Sequence, residues 1–167
     1  LGLITFREPY IKDSLTSFQA DVYATLTNYI TYVEDKAGIS GTFGRWFSEY
    51  TSGSVSVVAE RLNIKDPQSD APEFILQQVG YQSTTGFRTS LARDSRDYYL
   101  DPRTGTRIGA NLDWGSRYFG GTNNFYKVVG DVIHYTPLPW DLRHSIRVRY
   151  GAVEGIGGHP IPITERF

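Results

Sequence analysis
The sequence predicts an all-β protein, a succession of antiparallel strands joined by turns. Apolar and polar residues alternate with a period of two along most of the chain, while helical spacing is nearly absent. Aromatic residues make up 14% of the chain and glycines number 17, which favours strands over helical bundles. Clusters of Pro, Gly, Asp and Asn recur between the alternating runs, where tight turns need them. At 167 residues the chain reads as one domain, 1–167.

About eight strands follow, centred near residues 4, 22, 42, 58, 88, 111, 131 and 147. The first precedes the turn that runs from Glu8-Pro9-Tyr10 to Asp13. In the second, Phe18, Ala20, Val22, Ala24 and Leu26 alternate with Gln19, Asp21, Tyr23, Thr25 and Thr27. The third, Gly38 to Trp46, is less regular. The fourth sets Val55, Val57 and Ala59 against Ser54, Ser56 and Val58, and the fifth sets Phe87, Thr89 and Leu91 against Arg88, Ser90 and Ala92. The sixth is the clearest, with Ile108, Ala110, Leu112 and Trp114 opposed by Arg107, Gly109, Asn111 and Asp113. The seventh, Lys127 to Tyr135, has Val128, Val129, Val132 and Ile133 on both faces. In the eighth, Ile146, Val148 and Tyr150 oppose Ser145, Arg147, Arg149 and Gly151, a face too charged for a sandwich core.

Each strand can supply the roughly 9 to 11 residues of a tilted membrane strand. Compact turns are predicted at 8–13, 48–53, 101–105 and 137–141, and longer connectors at Thr31 to Lys36, Lys65 to Gly80, Ser116 to Asn124 and after Val153. In an up-and-down sheet each set lies on one edge, the asymmetry of a transmembrane barrel. Tyr10, Trp46, Phe47, Tyr50, Tyr98, Tyr99, Tyr135 and Trp140 fall where strands meet the compact turns, as an interfacial girdle requires. Alternation alone does not separate this from a water-soluble barrel or sandwich, whose aromatic faces would form a lipid or glycan pocket.

Several functions are disfavoured by composition. Lys plus Arg is 17 against 18 for Asp plus Glu, so no net charge favours nucleic acid. The absence of Cys removes disulfides, thiolate catalysis and cysteine zinc sites. No Gly-x-Ser-x-Gly elbow occurs, and His134, His144 and His159 lack metal-ligand spacing, so no catalytic residue, metal or cofactor is expected. The glycine-rich runs at 154–158 and 38–44 have no following helix to make a phosphate loop. With no Met in the chain, Leu1 reads as an internal position of a longer polypeptide, as does the end at Phe167.

Residues 93–105 hold Arg93-Asp94-Ser95-Arg96-Asp97, then Pro102 and Gly105, which make a charge ladder running into a return turn. Such a ladder serves either a solvated turn or a lumenal charge network. Further signatures follow in order along the chain: Phe6-Arg7-Glu8-Pro9-Tyr10, Asn124-Phe125-Tyr126-Lys127, Tyr135-Thr136-Pro137-Leu138, and Pro162-Ile163-Thr164-Glu165-Arg166-Phe167. Taken together, these segments resemble the C-terminal barrel of the BamA-type outer-membrane assembly proteins, the bacterial surface antigen family.

The resemblance implies an antiparallel up-and-down transmembrane β-barrel. The eight strands would be roughly the fourth to eleventh of a sixteen-stranded parent barrel preceded by POTRA domains. It implies a bacterial outer-membrane protein without enzymatic activity that inserts and folds β-barrel clients alongside accessory lipoproteins. A two-partner secretion translocator of the same superfamily is the nearest alternative. Arg93, Asp94, Arg96, Asp97, Pro102 and Gly105 would form the turn and a lumenal charge network, and Glu165, Arg166 and Phe167 the root of a loop folding into the lumen. Arg88, Arg107, Asp113, Arg147 and Arg149 are then expected to face the lumen. Ile108, Leu112, Trp114, Ile146, Val148 and Tyr150 are expected to face lipid.

Overall fold
A computed structural model describes residues 2–68 and 72–166, apart from the side chain of Phe74. Its eight strands are β1 (Gly2–Glu8), β2 (Thr16–Asn28), β3 (Val33–Trp46), β4 (Thr51–Lys65), β5 (Gly80–Asp94), β6 (Gly105–Gly115), β7 (Phe125–Pro137) and β8 (Arg143–Gly155). They form one antiparallel sheet whose spatial order is the sequence order, so the architecture is an up-and-down meander. Each predicted strand centre falls inside one observed strand. A single helical turn, α1 (Glu73–Leu76), and a few 3-10 turns occupy connectors.

The pairing register sorts the side chains into two faces. Glu60 lies opposite Gly38 and Thr84, Arg88 opposite Ser56 and Asp113, and Asp131 opposite Gly109 and Arg149. With pleating, these residues share one face with Arg107, Lys127 and Arg147. The other face carries Val22, Ile39, Phe43, Val57, Leu112, Ile146, Val148 and Tyr150, all large, apolar and exposed. Residues 159–166 pack on the polar side, called the inner face below. A sandwich would bury the apolar face and leave the polar one wet, and this sheet does the reverse. An exposed apolar surface this wide needs an apolar medium against it.

The buried apolar core is correspondingly small. Leu62 and Ile64 on β4 meet Ile75 of α1, with Tyr32 and Ile163 packed against them. A second packing point is Phe125, 2% exposed on β7. A Cβ on Gly115 of β6 would stand 2.6 Å from its ring, so glycine there makes the hole that the ring fills. Next to it, in register, is Gly86 of β5, where a Cβ would collide with the backbone carbonyl of Trp114.

Three expectations need correction. The connector expected at Thr31 to Lys36 is only residues 29–32, because Glu34, Asp35 and Lys36 continue β3. Their charges are accommodated rather than strand-breaking: Lys65 donates to Asp35 at 2.7 Å and Lys36 pairs with Glu60 at 3.2 Å. The connector through the charge ladder, 95–104, is longer than the expected 101–105, so the edge asymmetry is weaker than the sequence suggests. Tyr135 and Trp46 leave the predicted girdle, because the register of Tyr135 opposite Gly105 and Ser145, and of Trp46 opposite Ser52, puts both on the inner face. The other six girdle residues are exposed at the compact-turn end.

Candidate functional site
The inner face is wired by polar contacts that become ionic toward its middle. Thr42 and Ser56 hydroxyls meet at 2.8 Å, as do those of Ser54 and Ser90, and Thr5 donates to Asp21 at 2.7 Å. In the middle stands Glu60, 7% exposed. Its Oε2 accepts from Tyr23 Oη at 2.7 Å and pairs with Lys36 Nζ at 3.2 Å and Arg88 Nη2 at 3.6 Å. Tyr23 lies on β2, two strands away, and reaches Glu60 over Gly38. A Cβ at Gly38 would sit 2.6 Å from the tyrosine oxygen, so the missing side chain opens the passage.

Glu165, 6% exposed, brings the segment after β8 onto this network. Its Oε1 pairs with Arg88 Nη2 at 3.7 Å and its Oε2 with Lys127 Nζ at 3.2 Å. Arg88 therefore bridges two buried carboxylates, one from the wall and one from the returning segment. Burying two carboxylates is affordable only with cations close by and hydrogen bonds to their lone pairs. A second clamp is neutral. Gln78, in the connector after α1, donates through Nε2 to the Ile161 carbonyl at 3.0 Å and accepts from the Ile163 N–H at 2.9 Å. Pro162 between them is fully buried, and Ile163 rests on the small apolar core. At the start of the segment, the Ile156 N–H donates to the Asn124 carbonyl at 2.8 Å, and the Asn124 side chain returns a bond to the Ile156 carbonyl at 3.1 Å.

The charge ladder forms a separate unit at the compact-turn end. Asp94 accepts from Arg96 Nε at 2.7 Å and Nη2 at 2.5 Å, a bidentate pair that folds the arginine back along its own strand end. The guanidinium also lies 5.4 Å from the Tyr99 ring centre. Asp97 Oδ1 accepts from the backbone N–H groups of Tyr98, Arg103 and Thr104 at 2.9 to 3.1 Å, tying both ends of the connector together. Pro102 is buried. Gly105 has φ +105°, and a Cβ there would meet the Ser95 carbonyl, so only glycine serves. Arg93 takes no part, since β5 alternation places it on the outer face opposite Thr51 and Ile108, exposed.

These bonds, led by the Thr104 N–H, hold the Asp97 carboxyl below the ordinary carboxylate range. A depressed folded-state value gives stability that is present above the unfolded value and is lost as the pH falls through the folded one. Asp97→Asn is therefore expected to melt below the wild type at neutral pH. The gap should close below the ordinary Asp value of about 4, which paired thermal melts would show.

Of the residues singled out in the sequence, Asp94, Arg96, Asp97, Pro102 and Gly105 come together in one turn, and Glu165 enters the buried network. Arg166 donates within its own segment to the Ile161 carbonyl at 3.4 Å, and Phe167 lies outside the described residues. Sequence reasoning missed Glu60, Tyr23, Lys36, Lys127 and Gln78 as partners. For Glu60 a signal existed: continuing the Ser54, Ser56, Val58 face by one step puts a carboxylate on it.

Comparison with known proteins places the family and the fold. The model of the Omp85 superfamily domain matches residues 1–167. The outer membrane protein assembly factor BamA of Nitratidesulfovibrio vulgaris is 26% identical over 166 residues, which cover 99% of this chain and 21% of that protein. The chain thus spans about a fifth of that relative's length. The crystal structure of BamA from Haemophilus ducreyi lacking POTRA domains 1–3 superposes with a TM-score of 0.83 at 15% identity, over 99% of this chain and 35% of that one. With its whole length matched by the family model and its meander shared with that barrel, this chain belongs to the Omp85 superfamily.

Proposed function
We propose that this chain is wall and lumenal anchor in the barrel of a bacterial outer-membrane assembly factor, which inserts and folds other β-barrel proteins. One observation carries the reading: in a chain aligned end to end with an assembly factor, the segment after β8 is seated on the polar inner face by a buried carboxylate. The inner face is then the lumen, and the exposed apolar face meets lipid, where every backbone polar group must be paired between strands. The whole barrel has sixteen strands in this reading, with POTRA domains before it and accessory lipoproteins beside it. Clients are unfolded barrel proteins whose strands add to an opened edge by backbone hydrogen bonding. The process needs no cofactor and no covalent step.

Depleting the native full-length protein in its own bacterium tests the function. Loss of several barrel proteins from the outer membrane, with their unfolded forms accumulating, is the expected result. Loss of one secreted passenger with the barrel complement intact would instead make it a two-partner translocator. Orientation has its own test. A photoreactive lipid is expected to label probes at Ile146 and Val148 and to leave Arg147 and Arg149 unlabelled, and the opposite pattern would reverse the two faces.

A further inference from the structure
Arg93, left out of the turn network, has a counterpart on the same outer face. Arg45 of β3 lies opposite Thr16 and Gly53, and Arg93 of β5 lies opposite Thr51, so the two flank β4 at the compact-turn end. Both are exposed, and neither has an ion-pair partner among the described residues. Outer-face cations at the opposite end are satisfied within the chain. Lys65 pairs with Asp35, and Arg61 lies 5.7 Å from the Tyr81 ring centre.

Beside Arg45, and reaching Leu91 two residues before Arg93, the surface is hollow. A cavity of about 460 Å³ is lined by Phe43, Arg45, Phe47, Gly53, Val55 and Leu91, among others. Gly53 forms its floor. A Cβ there would stand 3.0 Å from the Phe47 ring and 3.5 Å from Leu91, so the two apolar side chains lean over the gap without closing it. Phe47 and Tyr50, both exposed, mark this level as the interfacial girdle.

We propose that this site seats a glycerophospholipid of the turn-side leaflet, with its phosphate held by Arg45 and Arg93 and an acyl chain lying in the hollow over Gly53. Two strand spacings and a two-residue offset along the strands separate the arginines by about 12 Å, within reach of one headgroup for side chains of this length. Charge complementarity selects the occupant. On a lipid-facing wall an unpaired guanidinium is stable only at headgroup level, and its bidentate donors match a phosphate. The proposal rests on the outer face meeting lipid and is independent of client assembly.

Native mass spectrometry of the detergent-purified full-length protein tests it, with dioleoylphosphatidylglycerol as probe and dioleoylglycerol as the same chains without phosphate. The wild type is expected to bind the phospholipid selectively. Arg45→Gln with Arg93→Gln should weaken that binding by about tenfold, the scale of losing charge-assisted contacts to a phosphate, while Arg61→Gln leaves it unchanged. Val55→Trp, which fills the hollow and keeps both cations, should weaken it too and supplies the answer if the double variant fails to show the compact mobility of a folded barrel on cold gels. Equal phospholipid binding by the wild type and these variants overturns the proposal. So does intact lipid binding with loss of a co-purifying lipoprotein, which would make the surface a protein dock. Lipid labelling at Ile146 and Val148 reports separately on the membrane reading.

Discussion

In the full-length protein carrying Glu165→Ala, residues 159–166 are expected to come off the inner face while the sheet stays folded. The substitution leaves Arg88 with Glu60, takes the Glu165 carboxylate away from Lys127, and so removes the charge that tethers the segment. Breaking a buried pair by deleting one partner costs about 3 to 5 kcal/mol. The Arg88 side chain is 38% exposed and screened, so most of the effect comes through Lys127, and the lower end of that range applies. Proteolysis within the segment should speed up by well over tenfold, while the compact mobility on cold gels persists. Glu165→Gln should fall between, because an amide keeps a hydrogen bond and loses the charge. Unchanged cleavage in both variants would mean that the Gln78 clamp alone holds the segment.

A larger effect is expected at Gly86. Its Cβ position coincides with the Trp114 carbonyl, a backbone atom that moves only if the β5–β6 pairing moves. Gly86→Val should therefore break the pairing between Gly86 and Gly115 and unseat Phe125, costing about 3 kcal/mol or more by overpacking. The measurement is the yield of compact, heat-modifiable barrel after refolding, expected to fall to near zero. Gly130→Ala is the control. Its added methyl would come no closer than 3.9 Å to another atom, the Gly109 carbonyl, and refolding should proceed as in the wild type.

The eight strands were legible because alternation is a local property, and one face of this sheet is polar almost throughout. Arg88, Arg107, Asp113, Arg147 and Arg149 share a face, opposite that of Ile108, Leu112, Trp114, Ile146, Val148 and Tyr150, as their periodicity predicts. Where the rule failed, ion pairs across strands were the cause. Glu34-Asp35-Lys36 looks like a loop by composition, yet Lys36 finds Glu60 on the inner face and Asp35 finds Lys65 on the outer one, which keeps the run in a strand. The ion network was legible only in part. Glu165 was marked by family resemblance, but its partners Arg88 and Lys127 come from distant strands, and pairing across strands is set by register, which no local pattern reports. Lys127 sits in β7, where Val129 and Ile133 occupy the inner face and blur the alternation. Gln78 lies in a connector, where periodicity has nothing to say.

The sequence-ordered meander gives the buried ion pairs a kinetic meaning. Every strand pairs with its neighbour in the chain, so loop closures are short and the sheet can grow hairpin by hairpin. Glu165 is different: its cations stand on β5 and β7, and it meets both only after β5 to β8 are assembled. A slip of one residue in β5 or β7 would turn Arg88 or Lys127 to the outer face and leave the carboxylate without that cation. The ion pairs therefore close late, and only on a correctly registered sheet, so they add stability to a finished wall that a misaligned one lacks.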